Sequence, residues 1–532
     1  MTKTLLVAGS NSGHQLGVGH DEDVRTLQEA LCRIDSNSQD VTSFPPAGYT
    51  LVDLSSGANH TLALLTPIQD GRDASNGIAT NEVWVAGTGT QGQLGPAHAS
   101  PESKPLTVFT RLDLKALLDS CADLPRSNLS EASLEPKRIV CGWNCSYIVL
   151  ALSRAGRPES SEQDVLLSLG LHRENTFGEL GCVLGPSSGA ADMGVQKVSF
   201  SSALIEAGLD AQAGFVIVDV AAGLRHAVAS LSVAAEAHGE KRLIVVGWGS
   251  ARQGQVGRIP EAATKRTGPS KRPGPAAAIV REPQVIFNWK TSDPPSSRCK
   301  LRAGRDHTAV LLQGGESEAG KALHCIGSNK QGQLLEEAAL REAGATLANI
   351  ADVTCNWNST HLLIEQKEGE PVILSCGSNS RGQLGNASNV SSTAGHPLAS
   401  SDLSMTLQKP PLTLGAATEA VAAVTTYSLQ AESTMLKKLV SGSEHSLLLV
   451  SRVAATSTGD THQVWGWGWN EHGNLAQGLH DEADRDRPTL LLDGTRSGTA
   501  KQTDNYYQPL DVWAGFGTSF ILAERLRKDH AS

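Results

Sequence analysis

Aromatic side chains are scarce in this 532-residue chain, at 4 %, and charged ones are modest at 19 %. With so few rings the core must come from Val, Leu, Ile and Ala, in short stretches such as Thr61-Leu-Ala-Leu-Leu65 and Ser446-Leu-Leu-Leu-Val450. No apolar run reaches the roughly 18 residues that a membrane-crossing helix requires, so no span is expected. The opening Met1-Thr-Lys-Thr-Leu-Leu-Val-Ala is too short for a signal peptide. The nine cysteines contain no CxxC pair, which reads as reduced thiols. The expected compartment is therefore the cytoplasm, with the nucleus as a second address. Lys265-Arg266 and Lys271-Arg272 read as a solvated loop before they read as a nuclear signal. A basic tail is also missing. The 45 Lys and Arg face 55 Asp and Glu, net −10, whereas nucleic-acid binding draws its affinity from phosphate-neutralising cations. No direct nucleic-acid partner is expected. Neither GxxxxGK[ST], nor a Ser/His/Asp grouping, nor paired carboxylates can be singled out, so no catalytic residue, metal or cofactor is assigned.

Glycine is what the chain has in plenty, 53 residues of it, and it is periodic. A strand-like stretch runs seven times into a glycine-centred loop. The loops include Gly9-Ser-Asn-Ser-Gly-His-Gln-Leu-Gly17, Gly87-Thr-Gly-Thr-Gln-Gly-Gln-Leu-Gly95, Gly377-Ser-Asn-Ser-Arg-Gly-Gln-Leu-Gly385 and Gly468-Trp-Asn-Glu-His-Gly-Asn-Leu-Ala476. A second turn follows each one: Gly57-Ala-Asn-His-Thr, Gly142-Trp-Asn-Cys-Ser, Gly223-Leu-Arg-His-Ala, Gly304-Arg-Asp-His-Thr, Asn356-Trp-Asn-Ser-Thr, Gly442-Ser-Glu-His-Ser and Gly515-Phe-Gly-Thr-Ser. Short strands repeated at long period indicate a propeller or solenoid. The units run over 1–80, 81–163, 164–240, 241–320, 321–368, 369–460 and 461–525, with a tail at 526–532, in one all-β domain. Unit five is the bare form. The others carry inserts, among them 260–275 and 387–396, too rich in Gly, Pro and Ser to bury a core. Short helices are expected within inserts at 113–119 and 335–347.

Within each loop, Leu16, Leu94, Leu334, Leu384 or Leu475 supplies an apolar anchor, and Asn11, Asn329, Asn379 and Asn470 suit a side chain bonding its own backbone. His60, His226, His307 and His445 share one repeat position on different units, so they cannot gather round one metal. The reading is an imidazole that bonds a neighbouring loop's backbone. Three units replace the shared turn pattern with an aromatic: Trp143, Trp357 and Phe516. Rings in such turns make interface anchors or inter-blade wedges. Asp21, Glu22 and Asp23 form an acidic loop, and Glu471 and His472 lie on a loop of the same class. These eight residues are the candidate partner-binding set.

The two recurring elements resemble the repeats of the regulator-of-chromosome-condensation family over essentially the whole chain. That resemblance implies a seven-bladed β-propeller. Leu16-Gly-Val-Gly-His-Asp-Glu-Asp23, Cys141-Gly-Trp-Asn-Cys and Val464-Trp-Gly-Trp-Gly-Trp-Asn-Glu-His-Gly-Asn474 are most similar to its fungal alpha-tubulin-suppressor, or killer-toxin-insensitivity, branch. This branch implies a non-enzymatic scaffold in a heterodimer with a small CSL-type zinc-finger or iron protein. The pair would support diphthamide synthesis and Elongator-dependent modification of tRNA wobble uridine, with Elongator itself a further partner. Two alternatives stay open: a guanine-nucleotide exchange factor for a small GTPase, as the founding member is for Ran, and a generic trafficking or tubulin-linked adaptor. The exchange-factor alternative lacks here the basic N-terminal tail of that founding member.

Overall fold

The computed structural model describes residues 2–526 apart from 36–38, 69–79, 122–123, 125–133, 153–162, 172–174, 184–193, 235–240, 258–277, 292–298, 314–320, 336–339, 342–344, 366–371, 386–403, 408–424, 431–433, 453–460 and 495–505. The inserts at 260–275 and 387–396, both Lys-Arg pairs, and the tail beyond Leu526 lie outside the described residues.

Seven sheets form the blades of an all-β propeller, antiparallel apart from one parallel pair, Leu31–Arg33 with Leu106–Arg111, at the outside of one blade. Their innermost strands are Tyr49–Ser56, Leu134–Cys141, Phe215–Ala222, Cys299–Ala303, Ile350–Cys355, Thr434–Ser441 and Tyr506–Ala514. Numbered in that order, blades 1 to 7 surround a central channel of about 380 Å³. Each repeated turn joins an innermost strand to the second strand, and each glycine-rich loop follows the third. Turns and loops therefore lie on one face. The sequence units straddle the sheets: each begins on the third strand of one blade and ends on the second strand of the next. Blade 7 is closed by both ends of the chain, because Thr2–Gly9 pairs antiparallel with Thr518–Leu526 from Thr2–Arg525 to Gly9–Thr518.

The core is divided, and against expectation it takes aromatic residues, Trp84, Trp248, Trp467, Phe44, Phe109 and Phe520 among them, beside the aliphatic ones. Seven buried clusters occupy the seven junctions between neighbouring blades. One holds Leu62, Leu64, Val83 and Val85 of blade 1 against Ile148, Leu150 and Leu167 of blade 2. Each blade contributes alternate side chains to its two neighbours, as strand geometry requires. The third strand ends where its backbone crosses the turn of its own blade. At Gly87, with φ of 105°, an added Cβ would stand 2.4 Å from the Asn59 carbonyl oxygen, and only glycine fits.

Blade 4 departs from the pattern. Among the described residues it has three strands, ending at Lys321–Gly327, and the bare unit five shows no fourth. That third strand is only half-buried along its whole length, whereas its counterpart Glu82–Gly87 is buried in all but the first residue. Leu114–Ser120 is a helix capped by Asp113, whose carboxylate accepts from the Ala116 N–H at 3.0 Å, close to the expected bounds. Within 335–347 the described part holds a helical turn at 340–341. A helix at Ser201–Glu206 has no counterpart in the sequence reading.

Candidate interaction face

The four repeated histidines are buried at the blade junctions. Each bonds a hydroxyl of the next blade and lies against the backbone of that blade's turn. Thr308 Oγ1 donates to the Gln255 carbonyl at 2.8 Å, so its lone pair accepts from His226 Nε2 at 2.9 Å. His60 uses Ser146 at 2.9 Å, His307 uses Thr360 at 3.1 Å, and His445 uses Ser519 at 3.1 Å. Those hydroxyls donate in turn to the carbonyls of Gln93, Gln333 and Asn474. Burial lowers the imidazoles to about 4 for His60, His307 and His445 and about 3 for His226. They are neutral struts between blades. Among the described residues no group of three or more His, Cys, Asp or Glu side chains is arranged to hold a metal.

The loop asparagines act as expected. Asn11, Asn329, Asn379 and Asn470 accept from the N–H of Leu16, Leu334, Leu384 and Leu475 at 2.8–3.0 Å. Asn175, in a loop of longer spacing, does the same for Leu180 at 3.1 Å. Leu334 is the anchor that differs. It is half-buried while Leu335 takes the core position.

Trp143, Trp357 and Phe516, far apart in the chain, converge over the channel mouth. Ring centroids lie 5.6 Å apart for the two tryptophans, 5.4 Å for Trp143–Phe516 and 6.1 Å for Trp357–Phe516. All three are half-buried. Main-chain bonds between turns hold them. Ala58 N donates to Trp143 O at 3.1 Å, Arg305 N to Trp357 O at 2.9 Å, and Trp357 N to Ser443 O at 2.7 Å. Ser443 Oγ closes onto Phe516 O. The Trp357 indole N–H is shielded from solvent and has no acceptor among the described residues.

The other candidates share this face, over the seam of blades 6 and 7. Asp21, Glu22 and Glu471 are exposed. Asp23 and His472 are engaged with each other at 2.7 Å, and Asp23 also accepts from the Asn11 N–H at 3.0 Å. Blade 6 repeats this bond, Asp484 accepting from Asn470 N at 3.0 Å. Asp23 is thus a loop brace. Sequence reasoning missed Trp469, half-exposed in the same loop. Its indole N–H donates to Glu471 Oε2 at 3.1 Å, its ring meets His472 edge-on at 5.1 Å, and it packs over Gly517 beside Phe516.

A set of charges below the mouth also went unread. Four residues before each turn stand Asp53, Arg138, Asp219, Lys300, Asp352, Lys438 and Asp511. In six of the seven innermost strands the register slips by one residue just ahead of this position, the kind of bulge that re-aims a side chain. Arg138 reaches Asp219 at 3.4 Å, Lys300 reaches Asp352 at 3.1 Å, and Lys438 reaches Asp511 at 2.8 Å. Asp53 instead accepts from Leu54 N at 2.9 Å and Trp513 Nε1 at 3.2 Å, and burial raises its pKa. One residue per blade, 52 to 86 apart, leaves no local motif to notice.

No family model matches the chain. It is 26 % identical over 529 residues to the secretion-regulating guanine nucleotide exchange factor of Bos taurus, covering 98 % of this chain and 83 % of that protein. The protein of the same name from Mus musculus is 24 % identical over 493 residues, with 92 % and 79 % covered. Among solved structures, Prp20p of Saccharomyces cerevisiae, also named yeast RCC1, aligns with a TM-score of 0.55 at 16 % identity, covering 99 % of this chain and 92 % of that one. The fold is thereby the seven-bladed propeller of RCC1 type.

Proposed function

We propose that this chain is an exchange factor: its propeller docks a small GTPase on the aromatic face and speeds release of the bound guanine nucleotide. The observation that carries this is the extent of the similarity to proteins named as guanine nucleotide exchange factors, which runs through 98 % of the chain instead of one blade. Prp20p, described together with its binding to Gsp1p and histones, supports a protein partner for such a propeller. Exchange asks for no covalent chemistry from the propeller. It asks for a surface that binds the GTPase better without nucleotide than with it. The turn-to-turn bonds give that surface rigidity, and the three half-buried rings give it anchors of the type that dominates interfaces. The metalloprotein-scaffold reading rests on three short stretches of sequence, and neither mammalian relative carries such a partner in its name. Exchange therefore stands first.

Release of a fluorescent GDP analogue from a panel of purified small GTPases tests the proposal. At least one should release nucleotide tenfold or more faster in the presence of the chain. Trp143→Ala and Trp357→Ala should lose most of that gain with native circular dichroism. No acceleration for any member overturns the proposal, and recovery of a CSL-type metalloprotein with the tagged chain would then favour the scaffold.

A further inference from the structure

The aromatic cap is continuous with a second apolar surface, and the charges around it say what kind of chain covers both. From Phe516 the surface passes over Gly517 to Trp469, whose ring carries Glu471 at its N–H edge and His472 against its side. Segments 20–25 and 469–487 enclose this end of the platform. They hold eight carboxylates and three arginines. The excess of five negative charges is half the chain's net −10. Arg25 locks the two segments together, donating to Glu471 O at 3.1 Å and pairing with Glu482 at 2.9 Å. Asp23, Asp481 and Asp484 are spent on internal partners. Asp21, Glu22, Glu471 and Glu482 remain exposed at the rim. Half-exposed indole beside solvent-exposed carboxylates, of which Glu471 already meets Arg381 at 3.9 Å and Glu482 meets Arg25, suits a further guanidinium or ammonium group, which gains from the ring face as well as from the charge.

We propose that the protein partner lays an extended, Arg- or Lys-bearing segment along this platform, from the channel mouth across Trp469 to the carboxylate rim. The inference rests on the aromatic face being the docking face, and not on the partner being a GTPase. The cationic side chains stack on Trp469 and meet Glu471 and Glu482, while the backbone covers the Trp143–Trp357–Phe516 cap.

Fluorescence anisotropy with a labelled dodecapeptide of alternating Arg and Ser tests this on the full chain without nucleotide. Binding should weaken tenfold or more in Trp469→Ala and in the Glu471→Gln/Glu482→Gln pair. It should also fall steeply with added salt, as exposed charge pairs do. The Glu135→Gln/Glu365→Gln pair on the opposite face removes the same charge and should bind as the parent does. Equal weakening by both pairs would show that only net charge attracts the peptide, and sinks the proposal. So does equal binding of the alternating Glu and Ser peptide, or indifference to Trp469→Ala. A chain that binds the peptide as stated but accelerates no GTPase keeps this inference and loses only the exchange reading.

Discussion

His226 shows how a residue-level choice sets the pH behaviour of the whole ring. Its imidazole hands Nε2–H to Thr308, and burial keeps the ring neutral, holding it at about 3 against an ordinary 6.5. A base depressed in the fold lends stability that is complete above 6.5 and is lost as pH falls toward the folded value, because the unfolded chain then binds the extra proton. Each such imidazole contributes a slope of up to about 1.4 kcal/mol per pH unit across that window. The thermal midpoint should therefore drop steeply between pH 6.5 and 4, and His226→Gln should start lower at pH 7 yet show a flatter slope. An unchanged slope would refute the neutral-strut account. Blade 5 shows the same rule by exception. Beside Gly304 an added Cβ would stand 2.1 Å from the His307 ring, so glycine and histidine go together. Where Ser359 replaces the histidine, Asn356 is tolerated. Its amide fills the space and donates to the carbonyls of Gly442 at 3.1 Å and His445 at 2.9 Å, while its oxygen meets His361 at 2.5 Å.

Strands and loops account for most of what the sequence made legible. The glycine, asparagine and leucine of each loop act within a few residues of one another, so their pattern is visible as a string. The hydroxyl that each histidine uses belongs to the next blade, and the three mouth aromatics meet only across the channel. Neither contact leaves a trace in local spacing. The shortness of unit five was plain, but not its result: a third strand, Lys321–Gly327, with no strand on its outer side among the described residues. Outward amides of such a strand lack the ladder bond that protects their counterparts. Native-state hydrogen exchange should find Lys321–Gly327 exchanging faster than the paired third strand Lys241–Ser250, by an order of magnitude or more at its slowest amide. Matching protection would mean that the 335–349 connection seals the edge.

Across the whole molecule, stability depends on closing the ring, since no blade has a core of its own. Blade 7 takes its two inner strands from one end of the chain and its two outer strands from the other. A chain stopped after Gly494 would expose the junctions on both sides of blade 7. It should lose its cooperative melting transition, and retention of a sharp transition near the parent midpoint would contradict the closed ring. The charges lining the channel respond to the same closure. Asp219 accepts from Leu301 N at 2.9 Å and faces Arg138 and Arg302, so Asp219→Asn should cost about 1–3 kcal/mol. Asp53→Asn should leave the midpoint unchanged or raise it, because burial already disfavours its charge. A drop equal to that of Asp219→Asn would disprove the distinction. The contrast is one of parity. Signs alternate around the channel from Asp53 to Asp511, and a circle of seven cannot alternate without one mismatch. Two carboxylates must be neighbours somewhere, and they are neighbours where the last blade meets the first. An eighth blade would heal the mismatch, whereas seven make the channel electrically lopsided, its surplus negative charge lying between the last blade and the first.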